Sequence, residues 1–357
     1  MSVLYLSEQY STARLDGDTV LVRAPANPAI GRDEVYRKRL PLGKISQVVV
    51  FGQVTLTSGM IEALMARQVE IVYLTRYGKF VGRMSGHEHK HGQLRLAQRR
   101  AHDDPTARLM VAKVCVRAKL HNQRTVLLRG NRTRHDPFIA ARADEIGALI
   151  SQVDALADVD SDPPDPTQPQ RGTVHGLLMG LEGAAAAAYF PAYRALLGEG
   201  WSEMFTGRHK RPPTDPVNAL LSFGYTLLTN QTAGAAQTVG FDPYIGYLHS
   251  SQYGKPALAL DIVEMFRAPV VDSVVLTVLN NRMLTAADFE ETLGSWRMGD
   301  AGRKTFLIKF EERLNTVIEH PVFGTKVTYR RCVELQMRLL SRWLLGELRR
   351  FRGFAIR

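Results

Sequence analysis

The chain has 357 residues, 45% of them hydrophobic and 23% charged. That length exceeds what one hydrophobic core usually supports, so two domains are expected, and the ordinary globular composition excludes a wholly disordered or collagenous chain. Lys and Arg total 46 against 35 Asp and Glu, a formal net charge of +11 that suits an anionic partner.

In chain order, residues 1–86 read as a small β-rich domain. Short β-branched and aromatic runs occur at Val3 to Leu6, Thr19 to Val22, Ile45 to Phe51, Glu70 to Leu74 and Lys79 to Arg83, separated by turn signals such as Asp16-Gly17-Asp18. One helix is expected from about Ser58 to Arg67, where Ile61, Leu64 and Met65 share a face. Residues 87–94 read as a solvated hinge, although His87, His89 and His91 alternate there as metal ligands on a strand would.

From residue 95 to 357 the periodicity turns helical, giving an α+β chain with an all-α C-terminal domain. Leu109, Ala112, Val116 and Leu120 recur at helical spacing while Lys113, Arg117 and Arg124 project elsewhere. Between Arg83 and Arg134 thirteen basic residues face only Glu88, Asp103 and Asp104, a local excess of +10. Such a concentration suits a polyanion, of which nucleic acid is the commonest, with a solvated basic helix as the simpler alternative. The acidic, proline-rich stretch at about 154–170 reads as a flexible connection within the helical domain. Three helices follow: Val174 to Phe190, stopped by Pro191; Pro216 to about Thr232; and a third that opens near Pro256 and ends before Pro269. A second basic patch, at residues 342–357, carries Arg349, Arg350 and Arg352 beside Phe351 and Phe354.

Cys115 and Cys332 stand far apart and outside any metal-ligand spacing, so both are expected as buried apolar groups. No window approaches the roughly 18 apolar residues of a membrane span, and no secretory leader is evident, so a cytoplasmic protein is expected.

Candidate chemistry lies on the helices after the acidic stretch. Asp261 and Glu264 fall on one face of the third helix, and their mutual repulsion requires a cation or a basic side chain. Glu182 has the same need, because Gly180, Gly183 and the alanines of residues 184–188 surround it with small apolar groups. His249 is one of four histidines outside the basic region, with His175, His209 and His320. One imidazole with two or three carboxylates matches Mn²⁺ or Mg²⁺ better than Zn²⁺, whereas carboxylates paired to arginine and a core histidine are the simpler alternative. A serine hydrolase is disfavoured, since Ser250 and Ser251 adjoin His249 with no G-x-S-x-G turn; a Glu182 and Glu264 glycosidase pair would leave the basic surface unexplained.

Several blocks in sequence resemble the CRISPR-associated integrases of the spacer-acquisition machinery, the Cas-one family. They are Val48 to Val54, Tyr77 to Arg83, Leu94 to Gln98 and Ala118 to Arg124, then Gly180-Leu181-Glu182-Gly183 with residues 185–190, Arg211 to Tyr225, Gly246-Tyr247-Leu248-His249 and Leu258 to Arg267. The resemblance implies that Glu182, His249 and Glu264 hold a catalytic Mn²⁺ or Mg²⁺, with Asp261 as a further catalytic acid. It implies that residues 1–86 form a β-sandwich-like dimerisation domain, in a homodimer that joins a small companion protein, the second Cas protein, and inserts short double-stranded DNA into a CRISPR repeat array by attack of a 3′-hydroxyl on a phosphodiester. On this reading Arg95, Arg99, Lys113, Lys119, Arg124, Arg129, Arg211 and Arg267 meet DNA. The competing expectation is a non-catalytic DNA-bridging protein with a structural acidic cluster. Met179 and Gln68 depart from the family pattern, which favours a basic residue and a small residue there.

Overall fold

The computed structural model describes residues 2–26, 34–86, 91–158, 173–209, 212–249 and 252–357. The chain forms two compact units, residues 1–88 with 297–304, and residues 89–296 with 305–357.

The first unit contains two four-stranded sheets. In one, β1 (Ser2–Leu6), β5 (Ile45–Phe51) and β7 (Glu70–Leu74) run parallel, and β8 (Phe80–Met84) closes the edge antiparallel to β7. The other orders β4 (Tyr36–Pro41), β3 (Thr19–Ala24), β2 (Thr12–Asp16) and the short β6 (Thr55–Leu56). The continuous apolar run of β5 marks a central parallel strand covered on both faces. Leu6, Val48, Val50 and Ile71 of the first sheet share one core with Ala13 and Val20 of the second and with Met60 and Leu64 of helix α1 (Ser58–Ala66). The five expected strands and the helix are all present; β2, β4 and β6, whose patterns are short or charged, were not expected.

Helix α1 ends in a Schellman turn, with Val69 N–H donating to Leu64 O at 2.9 Å and Gln68 N–H to Met65 O at 3.0 Å. Gln68 stands at the left-handed position of this turn, φ +58°, and its side chain is exposed. A non-glycine residue there costs about 1 kcal/mol. Gln68→Gly is therefore expected to stabilise the protein by about 0.5–1 kcal/mol in urea unfolding, the reverse of a typical glycine substitution.

The second unit is mostly helical. Its helices are α2 (Gly92–Asp103), α3 (Pro105–Gly130), α4 (Pro137–Ala155), α5 (Val174–Leu196), the single turn α6 (Trp201–Met204), α7 (Pro216–Val239), α8 (Ala257–Phe266), α9 (Ser273–Asn280), α10 (Asp300–Leu314) and α11 (Tyr329–Leu344). Residues 300–304 of α10 group with the first unit. Three helices begin with Asp-Pro, and the aspartates at 104, 136 and 215 cap α3, α4 and α7 by accepting backbone N–H groups at 2.8–2.9 Å.

Three expectations need correction. The C-terminal domain is not all-α: hairpins β9 (Phe289–Thr292) with β10 (Ser295–Met298) and β11 (Val317–Glu319) with β12 (Lys326–Thr328) interrupt it. Pro191 does not stop α5, which continues to Leu196, because buried Tyr189, Tyr193 and Leu196 anchor the helix on both sides of the exposed proline. Pro269 does not end the third helix either; a π-helical turn, Arg267–Asp272, carries α8 into α9 and absorbs the missing N–H.

Helix α3 forms the centre of this unit. Twelve of its residues are buried, Cys115 and Lys119 among them, so packing covers more than the one apolar stripe visible in sequence. The C-terminal tail lies against it: Asn122 Nδ2 donates to Met265 O at 2.6 Å and Phe354 O at 2.8 Å, while Ile356 N–H donates to Asn122 Oδ1 at 2.9 Å. A Cβ on Gly353 would come within 2.8 Å of the Ala118 Cβ, so glycine permits this approach. Phe351 and Phe354, expected beside a basic surface patch, are instead core residues, and Phe354 stacks on Phe266 at 4.5 Å between centroids.

Candidate active site

The four residues singled out for chemistry come from α5, the segment before α8, and α8 itself. Asp261 is fully buried and serves as the anchor. Its Oδ2 accepts the backbone N–H groups of Tyr247 at 2.5 Å and Leu248 at 3.0 Å; its Oδ1 accepts the His249 N–H at 2.9 Å and the His249 Nδ1 at 2.8 Å. The opposite side of this loop is held by His175 of α5, whose Nε2 lies 3.1 Å from Leu248 O. Gly246 makes the approach possible, since a Cβ there would fall 2.7 Å from the Ala257 carbonyl carbon and 2.8 Å from Asp261 Oδ2. With Nδ1 engaged by Asp261, the ring of His249 keeps Nε2 for another partner, the arrangement by which a carboxylate orients a ligating or acid–base imidazole.

Glu182 and Glu264 meet at the ammonium of Lys119, which projects from the middle of α3. Lys119 Nζ donates to Glu182 Oε1 and lies 2.8 Å from Glu264 Oε2, and Arg267 approaches Glu264 Oε1 at 2.5 Å. Glu264 is 2% exposed, and despite the nearby ammonium its Oε2 makes no hydrogen bond of acceptable geometry. Burial would raise the Glu264 pKa, but Arg267 and Lys119 outweigh it and hold the group below the usual carboxylate range. Burial lowers the Lys119 pKa, yet Glu264 and Glu182 together raise it above its ordinary value, so the ammonium stays charged. His249 shows the same balance: burial pulls its pKa down, while the hydrogen bond and charge of Asp261 raise it overall.

Lys119 is thus a correction to the expected DNA-contact set. It is 9% exposed and belongs to the carboxylate centre, where it is the basic side chain that the isolated Glu182 required. Lys113 is also turned inward, bonded to Leu156 O at 2.8 Å and Asp158 at 2.6 Å. Arg124 donates to Ala143 O at 3.0 Å and Arg267 is held by Glu264. Exposed positions are Arg95, Arg99 and Arg129, near the ends of α2 and α3; Arg99 pairs with Asp103 at 2.6 Å, and Arg129 reaches the Arg357 carbonyl. Arg211, His87 and His89 lie outside the described residues.

Arg267 connects the centre to a second buried network. Its guanidinium covers the Tyr225 ring at 4.8 Å from the centroid, and Arg208 covers the same ring at 5.4 Å. Tyr225 and Tyr189 donate to the two oxygens of buried Asp272 at 2.6 and 2.8 Å. Asn218 accepts from Arg208 at 2.7 Å and donates to Gly207 O at 2.8 Å, so it fixes the loop that carries Arg208. Sequence reading missed the roles of Lys119, His175, Arg208 and Asp272; the one available signal was that Glu182 needed a cationic partner.

Among the described residues no group of three His, Cys, Asp or Glu side chains is gathered in metal-holding geometry, because the lysine ammonium stands between the two glutamates. The chemistry of the donors nevertheless fits a hard divalent cation: two carboxylates, one with a buried oxygen lacking a hydrogen bond, and an imidazole oriented through its other nitrogen.

These observations define a two-unit α+β protein with a carboxylate–imidazole centre in its helical unit, neutralised by a buried lysine. The family profile described as "CRISPR associated protein Cas1" matches residues 4–312, and the chain belongs to that family. It is 34% identical to CRISPR-associated endonuclease Cas1 3 of Thermus thermophilus, over 100% of this chain and 98% of that protein. It is 36% identical to the CRISPR-associated exonuclease Cas4/endonuclease Cas1 fusion of Geobacter sulfurreducens over 99% of this chain, which spans 60% of the fusion. In fold it is similar to a casposase bound to integration product, with a TM-score of 0.81 at 21% identity, covering 99% of this chain and 93% of the casposase. Among the described residues no helix is long and apolar enough to cross a membrane.

Proposed function

We propose that this protein is a metal-dependent DNA integrase and endonuclease of CRISPR adaptation, which inserts short duplexes into a repeat array. The observation that carries this reading is the convergence of Glu182 and Glu264 on one cation beside a His249 whose Nδ1 is committed to Asp261. Family membership supports it, as do the names of the relatives, which are endonucleases.

Glu182, His249 Nε2 and Glu264 would hold Mn²⁺ or Mg²⁺, which supplies charge to polarise a phosphoryl oxygen and favours the ionised form of a bound hydroxyl. Asp261 keeps the His249 ring in place and confines its proton to Nδ1. The Arg267 guanidinium, braced on Tyr225, keeps Glu264 ionised. In the reaction a 3′-hydroxyl of the incoming duplex gives up its proton to solvent and its oxygen forms a bond to phosphorus at the repeat boundary. The bond from phosphorus to the leaving 3′-oxygen breaks, and that oxygen takes up a proton. One phosphodiester replaces another, so no nucleotide triphosphate is consumed.

Exposed arginines at the ends of α2 and α3, with Arg211, would guide the phosphate backbone, and the protein would act as a homodimer with its small companion protein. Phosphate-dominated binding falls steeply with salt and depends little on sequence. The deciding experiment mixes the protein, a short duplex with free 3′-hydroxyls and a repeat-bearing plasmid, with Mn²⁺ or with EDTA and with or without the companion. Joined product with Mn²⁺ alone is expected. Salt-sensitive DNA binding without joining under any metal would instead establish the DNA-bridging reading, with the acidic cluster structural.

A further inference from the structure

Lys119 is buried in a position that its charge makes expensive unless it is paired, and among the described residues the acidic groups that reach its ammonium are the two glutamates of the proposed metal site. Arg267 satisfies the other oxygen of Glu264, so Lys119 alone links Glu182 to Glu264. Both carboxylates therefore converge on one ammonium, which lies 2.8 Å from Glu264 Oε2. We propose that Lys119 is the resident counter-cation of this centre: it holds the two glutamates together when no metal is bound, and an incoming divalent ion displaces it.

This inference rests on the metal-dependent reading above. It adds a selectivity rule: a monovalent ion gains nothing by replacing an ammonium of equal charge, whereas a divalent ion adds one positive charge to a cluster in which Glu182, Glu264 and Asp261 outnumber Lys119 and Arg267. Retention of the ammonium beside a dication would place like charges in contact, so metal binding and the Lys119 bridge compete. The side chain is thus a positioning residue for the metal-free state and an opponent of metal affinity.

The test is Mn²⁺ titration by calorimetry, with thermal unfolding in EDTA and in saturating Mn²⁺, on the full-length wild type, Lys119→Met and Lys119→Gln, with Glu182→Gln as a control that should lose Mn²⁺ binding. Removal of the competing charge is expected to tighten Mn²⁺ binding at least ~10-fold in both Lys119 variants. Both should be less heat-stable than wild type in EDTA, and Mn²⁺ should erase most of that deficit. Unchanged or weaker Mn²⁺ binding by the Lys119 variants, with normal binding by wild type, overturns the counter-cation role and leaves the metal site standing. Failure of both variants to fold even in Mn²⁺ also overturns it, because the metal should then replace the ammonium. Absence of Mn²⁺ binding in wild type and Lys119 variants alike would remove the metal reading itself.

Discussion

Glu182→Gln is expected to reduce Mn²⁺-dependent joining of a short duplex to a repeat-bearing plasmid by at least ~10³-fold, equivalent to about 4 kcal/mol of transition-state stabilisation. The replacement keeps the shape of the side chain and a hydrogen-bonding oxygen for Lys119 while removing the charge that a divalent ion needs. The Glu182 side chain is 15% exposed and that of Lys119 11%, so the change weakens a mostly buried pair without removing its acceptor, and it should lower stability by about 1.5–3 kcal/mol at most. Glu264→Ala should also lose joining, but it leaves Arg267 without its carboxylate and Lys119 with Glu182 alone, at a site 2% exposed. Breaking a buried pair in this way costs about 3–5 kcal/mol, so the loss would mix chemistry with folding. Measured together, product formation and urea midpoints separate the two. Full joining activity in Glu182→Gln would remove the carboxylate centre from the mechanism.

Asp261→Ala is expected to have the largest effect on stability of any single change in the second unit, on the order of 4 kcal/mol or more. The carboxylate accepts three consecutive backbone N–H groups and the imidazole Nδ1, and it is wholly buried. Its removal leaves those donors without acceptors where water does not reach, and each unsatisfied buried group costs about 1–3 kcal/mol. His249 would lose its tether at the same time, so Mn²⁺ affinity should fall alongside the urea midpoint. Asp261→Asn should recover part of the stability, because one amide oxygen still accepts, while the amide N–H₂ opposes the donors on the other side. A midpoint for Asp261→Ala within experimental error of wild type would show that the loop is held by other contacts.

Much of the site was legible because burial of charge has few solutions. Glu182 within Gly180, Gly183 and a run of alanines, and Asp261 three residues before Glu264 among Leu258, Leu260, Ile262 and Val263, announced carboxylates in apolar surroundings. Helical spacing then placed Asp261 and Glu264 on one helix, and Pro216 located the start of α7. What spacing does not carry is direction across the fold. Asp261 and Glu264 share a face, yet Asp261 serves the backbone of residues 247–249 and Glu264 serves Lys119 and Arg267.

The sequence by itself determined a β-rich start, a helical remainder, the acidic and histidine residues of the centre and a basic excess just after the first domain. Tertiary structure alone decided what that excess does. Because α3 is covered on several sides, Lys119 lies inside and neutralises the glutamates, Lys113 and Arg124 are occupied by neighbouring backbone and acidic groups, and charge such as Arg95, Arg99, Arg117 and Arg129 stays exposed. One-dimensional periodicity records that a residue is off the apolar stripe, but a second layer of helices can bury that side as well, and a charge caught there must then find its opposite.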